Sequence, residues 1–428
     1  MHELIIIAPR SETLPFTSKL IASIIPIFSQ PDTQIREAAV QLNNSLHSLV
    51  LQSGSFDCSE TVAVLMSMFL GESSKDTQGS RVGTLDWLIM LHKTYPDQII
   101  NEIELQTGIF KMLSDSEDVA KRALQLLAQI SKNSDDQYFN NFIRSLLEML
   151  KNDRRLLETR GSLIIRQLCQ SLDSERLFRS LGEIIEPCVD LEFASTIVQH
   201  LNLILITAPE VPSRDLIKLS EVRKRLKNLD SKDGMSIFTV LYRSWCHSAV
   251  SVFALCLLSQ TYDQAASIMS SFSEIEITVT HLVQLDKLVQ LIESPVFTSL
   301  RLHLLEPDKH PSLYKSLFGI LMILPQSSAF EALRNRLNSV NSLVLLQVSQ
   351  QQRRNSTGIS NVSKEKDGQA KWTDFLQHFR SMQLLHSNDG KAMKSGSLNG
   401  SSKKNRPPQL MTGTLGLGSM SSIDKKRK

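Results

Sequence analysis

Apolar and polar positions fall in alternating blocks, and one block recurs along the first part of the chain. It is an apolar helix, a short polar turn rich in Asp and Ser, then a second helix bearing an Arg. The first copy runs from Ile24–Phe28 through Pro31-Asp32 to a helix with Arg36, Ala38, Ala39, Leu42 and Leu46. The second has Val62–Leu70, a turn at Asp76, then Ser80-Arg81-Val82-Gly83 and Leu85, Leu88 and Leu91. The third has Ile109–Leu113, Asp115–Val119, then Ala123, Leu124, Leu127 and Ile130. The fourth has Phe142–Leu150, Asn152-Asp153, then Thr159-Arg160-Gly161, Ile164, Ile165 and Leu168.

Anchored on Ile35, Ser80, Val119 and Thr159, the copies are 45, 39 and 40 residues apart. Paired helices at that period predict a HEAT/armadillo-like α-solenoid over residues 1–170; an irregular bundle with accidental spacing is the alternative. Small residues (Ala38, Ala39, Gly83) let one helix approach the other. An Asp in the turn suits a helix N-terminus, where it caps and opposes the dipole. The first copy begins almost at Met1 with no polar cap, which predicts a longer array or a partner at that end.

From 171 to 345 the pattern stays helical but the repeat signature fades, which predicts a C-terminal helical domain. Ser294-Pro295 reads as a helix start, and Ser328-Ala329-Phe330-Glu331 as a capping box. Leu282, Leu285, Leu288, Val289 and Ile292 form a one-sided stripe. Leu201–Thr207 reads as a core helix. Beyond 346 Gln, Ser, Asn, Gly and Lys dominate, which predicts a disordered basic tail over 346–428. Trp372, Phe375, Leu376, Phe379 and Met382 fall at helical spacing there. A short amphipathic docking helix at 371–385, or an isolated frayed one, fits them equally.

Composition agrees with an all-α chain: aromatics are 6%, with only 17 Gly and 14 Pro in 428 residues. The net charge of +3 hides an asymmetry. The tail holds fifteen basic and five acidic residues, net +10, which leaves the body at −7. Such a body is not expected to bind nucleic acid. Lys403-Lys404-Asn405-Arg406 and Lys425-Lys426-Arg427-Lys428 read as solvated tail, or as an address or lipid-attracted cluster. No apolar run is long enough for a membrane span, and the start lacks a basic signal region.

No phosphate-binding, dinucleotide, zincin or nucleophile-elbow motif occurs, the carboxylates and ten histidines are dispersed, and the five cysteines form no CxxC. Neither cofactor nor metal is expected, and the thiols read as core residues. Cys246-His247 tempts a nucleophile–base reading, but neighbours on a helix point about 100° apart; a buried Cys beside a half-exposed His fits better. Glu221-Val222-Arg223-Lys224-Arg225-Leu226-Lys227 is the densest charge run of the body, a solvated face or a site for an acidic partner or headgroup. Tyr242-Arg243-Ser244-Trp245-Cys246-His247 gathers residue types that anchor interfaces, or that knot a core.

Blocks between 156 and 337 carry a resemblance. They are Leu156–Gly161 with Ile164–Cys169, Leu191–Leu205, Leu241–His247, Val283–Glu293, Ser294–Phe297 with Leu300-Arg301-Leu302, and Leu321–Phe330. They resemble the C-terminal half of the vacuole-morphology HEAT-repeat scaffold that organises the phosphatidylinositol 3-phosphate 5-kinase complex. The resemblance implies a non-enzymatic scaffold, cytoplasmic and peripheral on vacuolar and late-endosomal membranes. It implies a Sac-type phosphoinositide 5-phosphatase and self-association at 171–345, and the lipid kinase as partner of the repeats. Tyr242, Arg243, Trp245 and His247 are then the candidates for the partner interface or its immediate support, followed by Arg166, Phe297, Arg301 and Tyr314. The alternative is a peptide-binding solenoid adaptor of trafficking or nuclear transport.

Overall fold

The computed structural model describes residues 13–54, 56–70, 78–96, 103–132, 134–207, 217–351 and 366–398. Among the described residues there are helices and turns and no strand. Five helix pairs come first: α1 (Thr17–Ile24) with α2 (Thr33–Leu51), α3 (Ser59–Leu70) with α4 (Gln78–Thr94), α5 (Ile103–Lys111) with α6 (Glu117–Lys132), α7 (Asp136–Asn152) with α8 (Arg154–Ser171), and α9 (Ser174–Ile185) with α10 (Leu191–Thr207). Then come α11 (Ile217–Lys227), α12 (Lys232–Trp245), α13 (Ala249–Leu258), α14 (Tyr262–Ser271), α15 (Val279–Ile292), α16 (Thr298–His303), α17 (Pro311–Ile323), α18 (Ser328–Gln351) and α19 (Lys366–Leu398). Residues up to His386 form one compact unit, and Ser387 onward a second, in which the described residues are the end of α19.

The described residues of the first unit form an all-α solenoid of two helical layers. One row stacks α4, α6, α8, α10 and α13 in order; in the other α1 meets α3, α3 meets α5, α7 meets α9 and α9 meets α12. The pairing therefore continues past 171, where the sequence signature fades, because α9 and α10 join the same rows. Apolar residues at three- and four-residue steps face between the layers. In α6 these include Val119, Ala123, Leu124, Leu127 and Ile130, and in α10 Leu201, Ile204 and Leu205, all buried.

Turn aspartates cap helices both within the pairs and between them. Asp32 accepts from the backbone N–H of Gln34 at 2.8 Å, Asp135 from Tyr138, Asp153 from Leu156 and Asp173 from Arg176, the last three at 3.0 Å. Each satisfies a donor that the first helical turn leaves orphaned. The Arg of the recurring block has a structural task too. Arg81 of α4 pairs with Asp115 in the turn before α6. Arg160 of α8 donates to the carbonyl of Leu113 at 3.2 Å and to that of Asp115. One turn is thus gripped from the pair before it and the pair after it. Arg81 and Asp115 are 17% and 19% exposed, so water screens their attraction only in part. Asp115→Ala is expected to lower the unfolding free energy by about 2–3 kcal/mol, seen as a lower urea midpoint; an unchanged midpoint would mean that water replaces the carboxylate.

Helix contacts settle the smaller expectations. Gly83 is required, since a Cβ there would lie 2.6 Å from the Phe28 ring. Ala39 is buried, but Ala38 faces solvent, one step round the helix. In α15 Leu285, Leu288, Val289 and Ile292 are buried and Leu282 half-buried. The cap of α18 is Ser327, one residue before the expected box: its hydroxyl accepts from the N–H of Phe330 at 3.2 Å. Ser294 stands at a helix start, but its side chain caps nothing and the first turn is a 3-10 turn, Pro295–Phe297. The basic clusters at 403–406 and 425–428 lie outside the described residues, as do residues 1–12 and Asp76.

Candidate functional site

The charge run on α11 is a strut. Buried Arg223 donates to the Leu205 carbonyl at 3.1 Å, which ties the C-terminal turn of α10. Arg225 pairs with Glu175 of α9 at 2.5 Å, and Lys227 donates to the Val296 carbonyl at 3.3 Å. Three of the four cations thus bind neighbouring elements, and Lys224 is exposed. These contacts hold the corner from which α12 starts. Ser231 caps α12 through the N–H of Gly234 at 3.0 Å. Only glycine fits at 234, because a Cβ would collide with the backbone carbonyls of Asn228 and Arg225.

The end of α12 brings Tyr242, Arg243, Trp245 and His247 together, with only the guanidinium reaching solvent. Tyr242, Trp245 and Cys246 are wholly buried. The Tyr242 hydroxyl accepts from Gln264 Nε2 of α14 at 2.7 Å, and burial pushes its phenol well above the ordinary value. Trp245 lies 6.2 Å from the Phe178 ring and donates through Nε1 to Asn202 at 3.4 Å. Arg243 reaches Glu186 at 3.4 Å and Asp374 at 3.6 Å.

His247 is 2% exposed, against the half-exposed position its sequence suggests. The cause is its seat under Glu186 and α19. Its Nε2 lies 3.2 Å from the Glu186 carbonyl, which can only accept, so Nε2 carries the proton. Its Nδ1 is then the acceptor facing His386 Nε2 at 3.2 Å. Burial, the first cause, holds its pKa below the usual histidine value. Burial also raises the Cys246 thiol well above its ordinary range and the Cys169 and Cys256 thiols to about 12. None is held as the thiolate that nucleophilic chemistry needs.

What covers this cluster is α19. The stretch singled out at 371–385 lies inside it, and Phe375, Phe379 and Met382 are buried against the domain. Phe375 sits 4.8 Å from the Tyr242 ring and 5.9 Å from Phe238. Trp372 meets Phe238 edge-on at 5.8 Å. Gln383 donates to the Cys246 carbonyl at 2.7 Å.

The remaining candidates lie elsewhere. Arg166 is exposed on α8 and donates to Thr207 at 3.3 Å. Phe297 is buried. Arg301 donates to the carbonyls of Ile292 and, at 2.6 Å, Ser294, which closes the end of α15. The Tyr314 hydroxyl donates to the Leu304 carbonyl. Phe297, Arg301 and Tyr314 therefore pin the segment between α15 and α17. Glu186, Gln264 and Phe238 shape the α12 face and escaped the sequence reading, because each is ordinary in type and joins the cluster only through packing.

Comparison with known proteins gives the site a context. Residues 154–340 match the family described as Vacuolar protein 14 C-terminal Fig4p binding. The chain is 39% identical over 409 residues to the Protein VAC14 homolog of Schizosaccharomyces pombe, which covers 91% of this chain and 47% of that protein. It is 40% identical over 332 residues to the Protein VAC14 homolog of Arabidopsis thaliana, 76% of this chain and 42% of that one. It is 34% identical over 383 residues to the Vacuole morphology and inheritance protein 14 of Saccharomyces cerevisiae, 86% and 42% respectively. The chain thus spans about half the length of these relatives.

Proposed function

We propose that the chain, whose residues 154–340 match the family described as Vacuolar protein 14 C-terminal Fig4p binding, is a non-catalytic scaffold of phosphatidylinositol 3,5-bisphosphate metabolism. In this reading the helices from α8 to α18 bind a Sac-type phosphoinositide 5-phosphatase and associate with further copies of the chain. The helix pairs before them contribute to holding a phosphatidylinositol 3-phosphate 5-kinase. The assembly works at vacuolar and late-endosomal membranes. The observation that carries the reading is the family match across 154–340, a stretch that coincides with continuous packing from α8 into α18.

The mechanism is colocalisation. Two enzymes on one rigid array meet the same membrane at an effective concentration far above their free one, with no new contact between them. A stacked two-layer array suits this task, because each helix pair is fixed by its neighbours on both sides. No helix among the described residues is long and apolar enough to cross a membrane. In this reading membrane association is peripheral and runs through the bound partners.

The test is capture of a purified Sac-type phosphatase on the immobilised full chain, with light scattering for the mass of the free chain. Retention of the phosphatase in a fixed ratio and a mass above the monomer are expected. A folded chain that ignores the phosphatase would overturn the phosphatase assignment. A monomer mass would overturn self-association alone.

A further inference from the structure

The α12–α14 face meets α19 through side chains that stand up from one strip of that helix. Trp372, Phe375, Phe379, Met382 and His386 recur at steps of three and four and face the domain, with Gln383 beside them. Leu384 and Leu385, on the far side, are 65% and 52% exposed. On the domain side the groove offers the rings of Phe238 and Tyr242, which take Phe375 between them. It also offers two backbone carbonyls: His378 Nε2 lies 3.4 Å from that of Arg243, and Gln383 donates to that of Cys246. Arg380 reaches Ser271 of α14 at 3.3 Å. Aromatic anchors in a pocket with a polar rim are the anatomy of a helix-in-groove complex.

The helix is also separable in sequence. It lies outside the matched 154–340 stretch, and fourteen residues stand between Gln351 and Lys366. Its inward residues Phe375, Phe379 and Met382 join the buried cluster of the first unit from outside that matched stretch.

We propose that the α12–α14 face is a docking groove for an amphipathic aromatic helix, and that residues 370–386 are its displaceable occupant, held there by their own chain. While α19 is seated, Phe238, Tyr242 and the carbonyls of Arg243 and Cys246 are closed to any other helix. Its departure opens the rings of Phe238 and Tyr242. A contact within one chain acts at an effective concentration, which for short connections is on the order of millimolar. A micromolar intrinsic contact would then be closed about a thousandfold over open, and still yield to a partner or a covalent change that weakens it. The inference stands apart from the phosphatase assignment, and its test uses no phosphatase.

The experiment starts from the folded full chain carrying a specific protease site placed within 352–365. After cleavage the fragment that contains α19 should stay bound at high micromolar concentration and leave on dilution. The body should keep its helical circular dichroism and rebind the fragment with a dissociation constant on the order of micromolar. Phe375→Ala with Phe379→Ala should raise that constant about thirtyfold, and Leu384→Ala should leave it unchanged. In the uncleaved double variant, hydrogen exchange should quicken over 366–386 and 238–247 only. A fragment that leaves only when the body unfolds would make α19 an integral part of the core and overturn the proposal. So would a fragment that never rebinds, or a double variant whose exchange quickens across all of 154–340. Cross-links that join α19 of a heavy-isotope copy to the groove of a light copy would give the groove to a second chain and overturn the same-chain assignment.

Discussion

Trp245→Ala is expected to lower the unfolding free energy by about 3–5 kcal/mol, at the upper end for a single side chain. The indole has no exposed surface, touches the Phe178 ring and donates to Asn202. It stands where α12 packs on α9, with α10 beneath. Removing it strips contacts from three helices at once and leaves Asn202 without that donor. These helices are long and tied to both neighbours, so the cavity cannot collapse cheaply. Trp245→Phe keeps much of the volume and should cost about half as much. The measurement is the urea midpoint followed by circular dichroism, with the slope unchanged. The same variant separates two roles. A buried support residue costs stability, whereas the fraction that is folded at low temperature captures phosphatase as the unaltered chain does. Weakened capture by a fully folded Trp245→Ala protein would instead show that its packing transmits to the partner surface. A midpoint shift below about 1 kcal/mol would mean that α9 and α12 close over the gap.

Legibility of the fold followed the range of the interactions that make it. Helix pairs and their period could be read because a local signal writes them: an Asp at the turn caps the helix that begins there, as at Asp32 and Asp153. The Arg in each second helix could be seen, but not its partner. Arg160 serves the turn at Asp115, 45 residues upstream, and only the stacking of α6 on α8 reveals it. The same limit governs the α12 cluster. Tyr242, Arg243, Trp245 and His247 stood out by residue type, and the structure does set them together. That they are covered depends on Phe375 and His386, more than 130 residues downstream. Charge misled for a related reason. Arg223 looks like a surface cation because Arg generally is one, yet here a helix C-terminus needs a donor, and Leu205 supplies the acceptor inside the protein. Cap positions slipped by one residue, as at Ser327, because adjacent serines offer the same hydroxyl and only the backbone turn chooses between them.

Acid should destabilise this protein from about pH 6.5 downward, starting above the range in which its carboxylates titrate. Burial, the leading cause in each case, holds His47, His92, His200 and His247 below the ordinary histidine value of 6.5, with His47 at about 4. The imidazole of His47 stands edge-on to the buried Trp87 ring at 4.0 Å. In the unfolded chain the same group would take its proton near pH 6.5. Between that pH and about 4 the unfolded state therefore holds more protons than the folded one, and stability falls as pH falls. Above about pH 7.5 both states are neutral at these sites and the contribution vanishes. His47 alone should cost about 2 kcal/mol by pH 4.5, after allowance for its partial contact with water. The other three act in the same direction. Asp86, raised by burial, acts in the opposite direction, but only in the carboxylate range. The check is the urea midpoint at pH 7.5 and at pH 5.0 for the unaltered chain and for His47→Gln. The unaltered chain should lose stability across that interval, and His47→Gln should lose distinctly less because one of the groups that drive the change is gone. Equal pH dependence in the two proteins would place the acid sensitivity elsewhere and remove His47 as a source of it.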